Sequence, residues 1–276
     1  MKIYDAELER VTTRYGRFYV VRNDSVIGRS LKLYGEWAED EIGSYAALLT
    51  DGETILDVGA NIGTHAIALG SRFPHSEVVA FEPQPLAFGL LVANALTTRT
   101  GNVYPRNLGC AEAERIVHVV PDYLAADWNI GGFSLRSGAQ DPKPGALPIM
   151  LVALDDLVFR GRVQFIKIDV EGMEQSVLSG AAKLIERDRP IIYFEVLEIE
   201  RLSGARDLLT GLGYDLRWLK SEAFSPRNYR LNPDNIWRHG ETGVLAMPRD
   251  KDSRVVHLPK VTGNEVQVPI IEYSGE

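Results

Sequence analysis

From Thr54 to about Tyr193 the chain repeats one pattern: a short apolar run rich in β-branched residues, a turn of small residues, then a stretch whose apolar positions recur every three or four residues. Apolar runs without alternation belong to strands covered on both faces, and stretches of helical period between them are crossover helices. The pattern predicts strands over 54–58, 77–81, 103–106, 163–168 and 190–195, and helices over 63–71, 85–97, 173–187 and 201–212. Successive βαβ units of this kind build an α/β fold, a mostly parallel, doubly wound sheet with helices on both faces.

Two regions depart from the pattern. Between residues 107 and 162 lie an exposed strand over 115–120, a loop over 128–135 with paired glycines, and a Pro/Gly-rich stretch over 140–148. A long irregular connection on the ligand side of a sheet is expected to act as a lid or substrate loop. After Tyr214, strands over 215–220 and 242–247 read as an antiparallel hairpin at the sheet edge. The expected organisation is an N-terminal cap over 1–50, one domain over 51–250, and a tail over 251–276 that lacks helical periodicity.

Chemistry enters at the strand ends. Ile55–Leu56–Asp57–Val58–Gly59–Ala60–Asn61–Ile62–Gly63 is a buried strand running into a glycine turn and a helix. Gly59 and Gly63 let backbone approach a ligand, and the helix start directs amide donors toward it. A dinucleotide site wants G-x-G-x-x-G, whereas here the second glycine is Asn61 and the third is Thr64. Asp57 repels a pyrophosphate but suits the ammonium of a methionine moiety. Glu82, 25 residues after Asp57 at the end of the next strand, can accept from a ribose diol. The set favours S-adenosyl-L-methionine over NAD. An NAD-dependent oxidoreductase and a non-catalytic binding protein on the same fold are the alternative readings.

The strand Phe165–Ile166–Lys167–Ile168 ends in Asp169 and Glu171 before Gly172, where the ligand crevice of an open α/β sheet lies. Asp169 reads as catalytic. Glu171 is either catalytic or a helix-start acid, and Lys167, on the same strand face as Asp169, is either functional or a snorkelling side chain. His65, on the first turn after the glycines, is either a structural histidine or a group within reach of an acceptor proton.

Composition then narrows the field. Thirty Lys and Arg against 38 Asp and Glu give a net charge of −8, which argues against a nucleic-acid partner. No stretch reaches the roughly 20 apolar residues of a membrane span. The charged first twenty residues carry no signal-peptide core, and the cytoplasm is the expected location. The single Cys110 and five scattered histidines give no zinc site, and no metal ligand is assigned, while a divalent cation held by Asp169 and Glu171 stays open. Without a Gly-x-Ser-x-Gly elbow, an α/β-hydrolase is disfavoured.

Taken in order, 57–63, Phe81–Glu82–Pro83, Leu154–Asp155–Asp156–Leu157, 166–172 with Glu174 and Leu178, and Pro190 leading to Glu195 resemble the FkbM family of methyltransferases, over about Tyr34 to Met247. The resemblance implies a seven-stranded Rossmann-like class I methyltransferase fold, S-adenosylmethionine as cofactor, and O-methylation of a small natural product or glycan hydroxyl. It implies that Asp57, Gly59, Asn61 and Glu82 hold the cofactor, and that the segment carrying Tyr34 and Glu36 closes over its methionine end. The stretch from Asn107 to Cys110 loosely matches the third-strand exit that serves adenine. Asn129 and Ser134 fall in a loop near donor and acceptor, and Tyr229 and Trp237 in a loop near the substrate mouth.

Overall fold

The run Thr-Ile-Leu-Asp-Val at 54–58 is buried at all five positions, which a strand achieves in the middle of a sheet covered on both sides. The computed structural model describes residues 7–119, 144–237, 240–263, 265 and 267–269. A hairpin of β1 (Leu8–Thr13) and β2 (Gly16–Val21) leads to helices α1 (Ile27–Tyr34) and α2 (Glu39–Ala46). Then follow β3 (Thr54–Val58), α3 (Thr64–Arg72), β4 (Val78–Phe81), α4 (Pro85–Thr98) and β5 (Val103–Arg106). The connection contributes β6 (Gly109–Cys110), β7 (Arg115–Val119) and β8 (Leu147–Val152). The second half runs β9 (Val163–Ile168), α5 (Glu174–Ser179), α6 (Ala182–Asp188), β10 (Ile191–Glu195), α7 (Leu202–Gly211), β11 (Tyr214–Ser221) and β12 (Glu241–Pro248).

Seven strands form the main sheet in the order β11-β12-β10-β9-β3-β4-β5. From β5 to β10 every pairing is parallel, while β12 is antiparallel to both neighbours. This is the Rossmann-like fold expected from the pattern, with the late hairpin at the edge. Its antiparallel member is the inner strand, and β11 forms the edge. The chain steps from β3 outward through β4 to β5, then returns to place β9 on the other side of β3. The strand order therefore reverses between β3 and β9, and the crevice opens at their carboxyl ends.

Alternate residues of the strands feed two cores. Leu56, Val58, Ile166 and Ile168 pack under α5, α6 and α7, and Ile55, Val78, Ala80 and Phe165 under α2, α3 and α4. The N-terminal hairpin is fastened to this body by Asn94 of α4, which is fully buried. Asn94 accepts from the Tyr19 amide at 2.6 Å and donates to the carbonyls of Tyr19 and Ile62, so the cap and the glycine turn share one clamp.

Two expectations change, and the tail gains a place. The helix expected over 173–187 is two helices, because the chain turns at Gly180, where a Cβ would lie 2.0 Å from the Ala111 carbonyl oxygen. The connection holds a three-stranded sheet, β6-β8-β7, in which the Pro/Gly-rich stretch runs directly into β8. The tail is anchored to β11: Trp218 donates to the Pro259 carbonyl at 2.8 Å and Val261 to that of Leu216 at 3.0 Å. The loop over 128–135, with Asn129 and Ser134, lies outside the described residues. Among those described, no helix is long and apolar enough to cross a membrane.

Candidate active site

Where β3 ends, Gly59 takes φ +83°, and a Cβ there would stand 1.7 Å from the Asp169 carbonyl oxygen. The turn after β3 and the exit of β9 therefore touch through backbone, a contact only glycine allows. Asn61 follows in the left-handed region at φ +49°, and Gly63 at +93° caps α3. The turn is fixed from the side by Glu82: its two carboxylate oxygens accept the Asn61 amide at 2.8 Å and the Gln84 amide at 2.7 Å. Burial pushes the Glu82 carboxyl up to about 7, against the pull of these two amides. The side-chain oxygen of Asn61 is buried in the same wall with no hydrogen-bond partner among the described residues.

Beneath the turn lies one buried cation. Lys167 Nζ donates to the Gly59 carbonyl at 3.2 Å and stands 3.2 Å from Asp169 and 3.4 Å from Asp57. Burial alone lowers this ammonium, but the two carboxylates outweigh it and the net displacement is upward. Asp57 is wholly buried, accepts no hydrogen bond among the described residues, and faces Lys167. Asp169 keeps 36% of its side chain open to the crevice. Burial raises Asp169, yet Lys167, His65 and a hydrogen bond from Glu195 bring it below the usual carboxylate range. Glu195 moves the opposite way, well upward, through burial and the Asp169 charge. Glu171, at φ +53°, is raised to about 7 by burial and Asp169, and Glu241 of β12 is raised to about 7 by burial and Glu41.

On the opposite wall, His65 Nε2 lies 3.0 Å from Glu41 Oε1, and the Tyr193 hydroxyl donates to Glu41 Oε2 at 2.6 Å. These groups enclose a cavity of about 370 Å³, within the ~300–1,000 Å³ typical of small-molecule sites. Its floor is the turn at Gly59–Asn61, one end is formed by Glu82 and the Leu108–Cys110 segment, and the other by Asp169, Glu171, Glu195 and Glu241.

Residues 57–216 match the methyltransferase FkbM domain. The chain belongs to the FkbM methyltransferase family. Among curated FkbM-type relatives, the hexuronic acid methyltransferase AglP of Haloferax volcanii is 29% identical over 197 residues, covering 70% of this chain and 74% of that protein. The 31-O-demethyl-FK506 methyltransferase FkbM of Streptomyces tacrolimicus is 30% identical over 198 residues, covering 60% and 74%. A solved structure of methyltransferase FkbM from Methylobacillus flagellatus matches at 19% identity with a TM-score of 0.45, over 73% of this chain and only 45% of that one.

Of the residues expected from the sequence, Gly59, Asn61, Glu82, His65, Asp169 and Glu171 all line the cavity. Gly63 shapes the turn from behind, where a Cβ would meet Leu91 at 2.6 Å. Other expected residues stand elsewhere. Asp57 is spent on Lys167 rather than open to a ligand. Asn107 turns outward and donates to the Glu82 and Pro83 carbonyls, so it holds the β4 exit and stands outside the cavity. Tyr34 and Glu36 sit outside the cavity: the Tyr34 hydroxyl donates to the Asp234 carbonyl at 2.8 Å and accepts the Ile236 amide, while Glu36 holds Arg14 and the Tyr229 amide. Tyr229 packs over Gly35, and Trp237 meets Trp37 edge-on at 5.8 Å. Trp37 itself lines the cavity, as do Glu41, Tyr193, Glu195 and Glu241; the sequence marked Trp37 and Glu195 only as parts of family motifs and gave none of the five a role in the site. The one available signal was positional, since Glu195 closes β10 as Asp169 follows β9.

Proposed function

We propose that this methyltransferase transfers the methyl group of S-adenosylmethionine to a hydroxyl of a sugar or small natural product. The observation that carries the choice of donor is the hydrogen bond from the Asn61 amide to Glu82. In a dinucleotide site that amide would face a pyrophosphate; here it is given to a carboxylate, which repels one and offers its remaining lone pairs to a ribose diol. The unpartnered Asn61 side-chain oxygen and the glycine turn leave an uncharged, close-approach surface for the methionine part. The donor supplies an electrophilic methyl carbon on a sulfonium that leaves readily.

What remains for the chain is alignment, exclusion of water and removal of a proton. Lys167, tied to Asp57, Asp169 and the Gly59 carbonyl, keeps the donor turn and the acceptor end in fixed register. Asp169, lowered and paired with Lys167, is a weak base. Glu171, raised to about 7, is better matched to take a hydroxyl proton near neutral pH, and His65 lines the same cavity. Support for an oxygen acceptor comes from the relatives: one is named for the 31-O position of FK506, the other for hexuronic acid, which carries hydroxyls and a carboxyl group.

Calorimetric titration with adenosylhomocysteine and with NAD tests the donor, and labelled-methyl transfer to a panel of glycosides, uronic acids and macrolide alcohols tests the acceptor. Binding of adenosylhomocysteine without NAD is expected. Glu82→Ala should weaken it about ten- to hundredfold, as loss of hydrogen bonds to a charged acceptor costs about 1.5–3 kcal/mol. Tighter binding of NAD, or full affinity in the variant, overturns the reading.

A further inference from the structure

Resting on methyl transfer to a hydroxyl, we infer that Glu41 is the positioning residue for His65, fixing its ring so that Nδ1 faces the acceptor as the proton-accepting nitrogen. Three elements meet at this point. Glu41 comes from the cap helix α2, His65 from the first turn of α3 and Tyr193 from the middle of β10. All three are buried and line the cavity.

The geometry fixes the hydrogen count. A carboxylate 3.0 Å from Nε2 requires a proton on that nitrogen. Tyr193 donates to the other Glu41 oxygen at 2.6 Å, and burial together with Glu41 holds its phenol above the usual range, so it stays a donor. Glu41 is thereby held at both oxygens and cannot rotate away. The contact of Nδ1 is the Thr64 hydroxyl at 3.5 Å, at the limit of a hydrogen bond. Nδ1 therefore carries its lone pair in the neutral ring, and when it takes the acceptor's hydroxyl proton the resulting imidazolium is balanced by Glu41. The charged and titratable groups around the pair are Tyr45 on α2, Lys167 and Asp169 at the end of β9, Tyr193 on β10 and Glu241 on β12.

The overall step is balanced. An acceptor oxygen lone pair forms the bond to the methyl carbon, the carbon–sulfur bond breaks with its pair remaining on sulfur, and the hydroxyl proton passes to Nδ1. Glu41 touches neither reactant and acts through the ring it holds.

The test uses the full chain, selectively ¹⁵N-labelled at histidine, with adenosylhomocysteine as probe. His65 is assigned by the signal that disappears in His65→Gln. The expected wild-type spectrum at pH 7.5 shows a protonated Nε2 and an unprotonated Nδ1. Glu41→Met, which fills the volume but accepts nothing, should average the two nitrogens and lower kcat by about 10²–10⁴ on the acceptor panel. KM and adenosylhomocysteine affinity should stay within a few-fold, and Glu41→Gln, which keeps an acceptor, should recover part of the rate. If Glu41→Met does not fold, Tyr193→Phe should speed exchange of the Nε2 proton with water without moving it. A wild-type proton on Nδ1, an unchanged Glu41→Met spectrum, or a parallel loss of probe affinity and turnover overturns the assignment. Failure of the wild-type chain to bind the probe, with the ring still fixed, counts against the methyl-donor reading and leaves the Glu41–His65 pairing in place.

Discussion

Glu171 adopts a backbone conformation, φ +53°, that a residue with a Cβ enters at a cost of about 1–3 kcal/mol, and it does so at the mouth of the cavity. Strain kept at such a position is consistent with a role for the side chain. Glu171→Gly should therefore leave Tm unchanged or raise it by ~2–4 °C while reducing methyl transfer; a fall in Tm in a thermal melt would mean that the side chain is structural. Ionisation gives a second residue-scale outcome. Glu82, Glu171 and Glu241 have folded values raised to about 7 from 4.5. Between those limits the folded chain holds protons that the unfolded chain has released, so stability falls as pH rises from 4.5 to 7. Asp169, shifted downward, has its effect below 3.8 and does not offset this slope. The Tm of the ligand-free protein should decline from about pH 5 to about pH 7.5, less steeply in Glu241→Gln, and a Tm that rises across this range counters the assignment. Glu82, Asp169 and Glu171 were legible because acids at the carboxyl ends of parallel strands converge on the crevice. The use of Asp57 was not, since its counter-charge Lys167 lies on another strand, 110 positions along the chain.

Elements were read well where burial on both faces leaves a continuous apolar run, as in β3, β4, β9 and β10. They were misread where a contact with a distant backbone overrides local period. The run from Met173 to Arg187 has helical spacing throughout, but Gly180 passes so close to Ala111 that the chain gives up one helix for two. Gly180→Ala should accordingly destabilise by more than the helix propensity of alanine returns, lowering Tm, whereas a simple helix-interior glycine would be stabilised by about 1 kcal/mol. Helix α2 shows the complementary limit. Its sequence, Glu-Asp-Glu-Ile-Gly-Ser-Tyr-Ala, has an acidic first turn suited to the helix dipole, and nothing local distinguishes Glu41 from Glu39 or Asp40. Only the fold, by laying α2 against α3 and β10, turns one of the three acids into the partner of His65.

Across the whole molecule, the tail that lacked periodicity completes the sheet. An edge strand with unpaired amides is a template for association, and here Arg217 of β11 lies under the Val256 and Leu258 carbonyls while Trp218 donates to Pro259. Ending the chain after residue 248 should lower Tm and shift the protein toward larger species in size-exclusion chromatography, with adenosylhomocysteine affinity per folded molecule retained. A monodisperse truncated protein of unchanged Tm would show that the edge needs no cover. The Tyr34 hydroxyl, bonded at once to Asp234 and Ile236, ties the beginning of the chain to a segment made 200 positions later. On a ribosome emitting residues in order, the segment that carries Glu41 cannot take this bond until Asp234 has emerged, and the acidic end of the cavity waits longer still, for Glu241, so a nascent chain halted before Asp234 lacks that part of the wall.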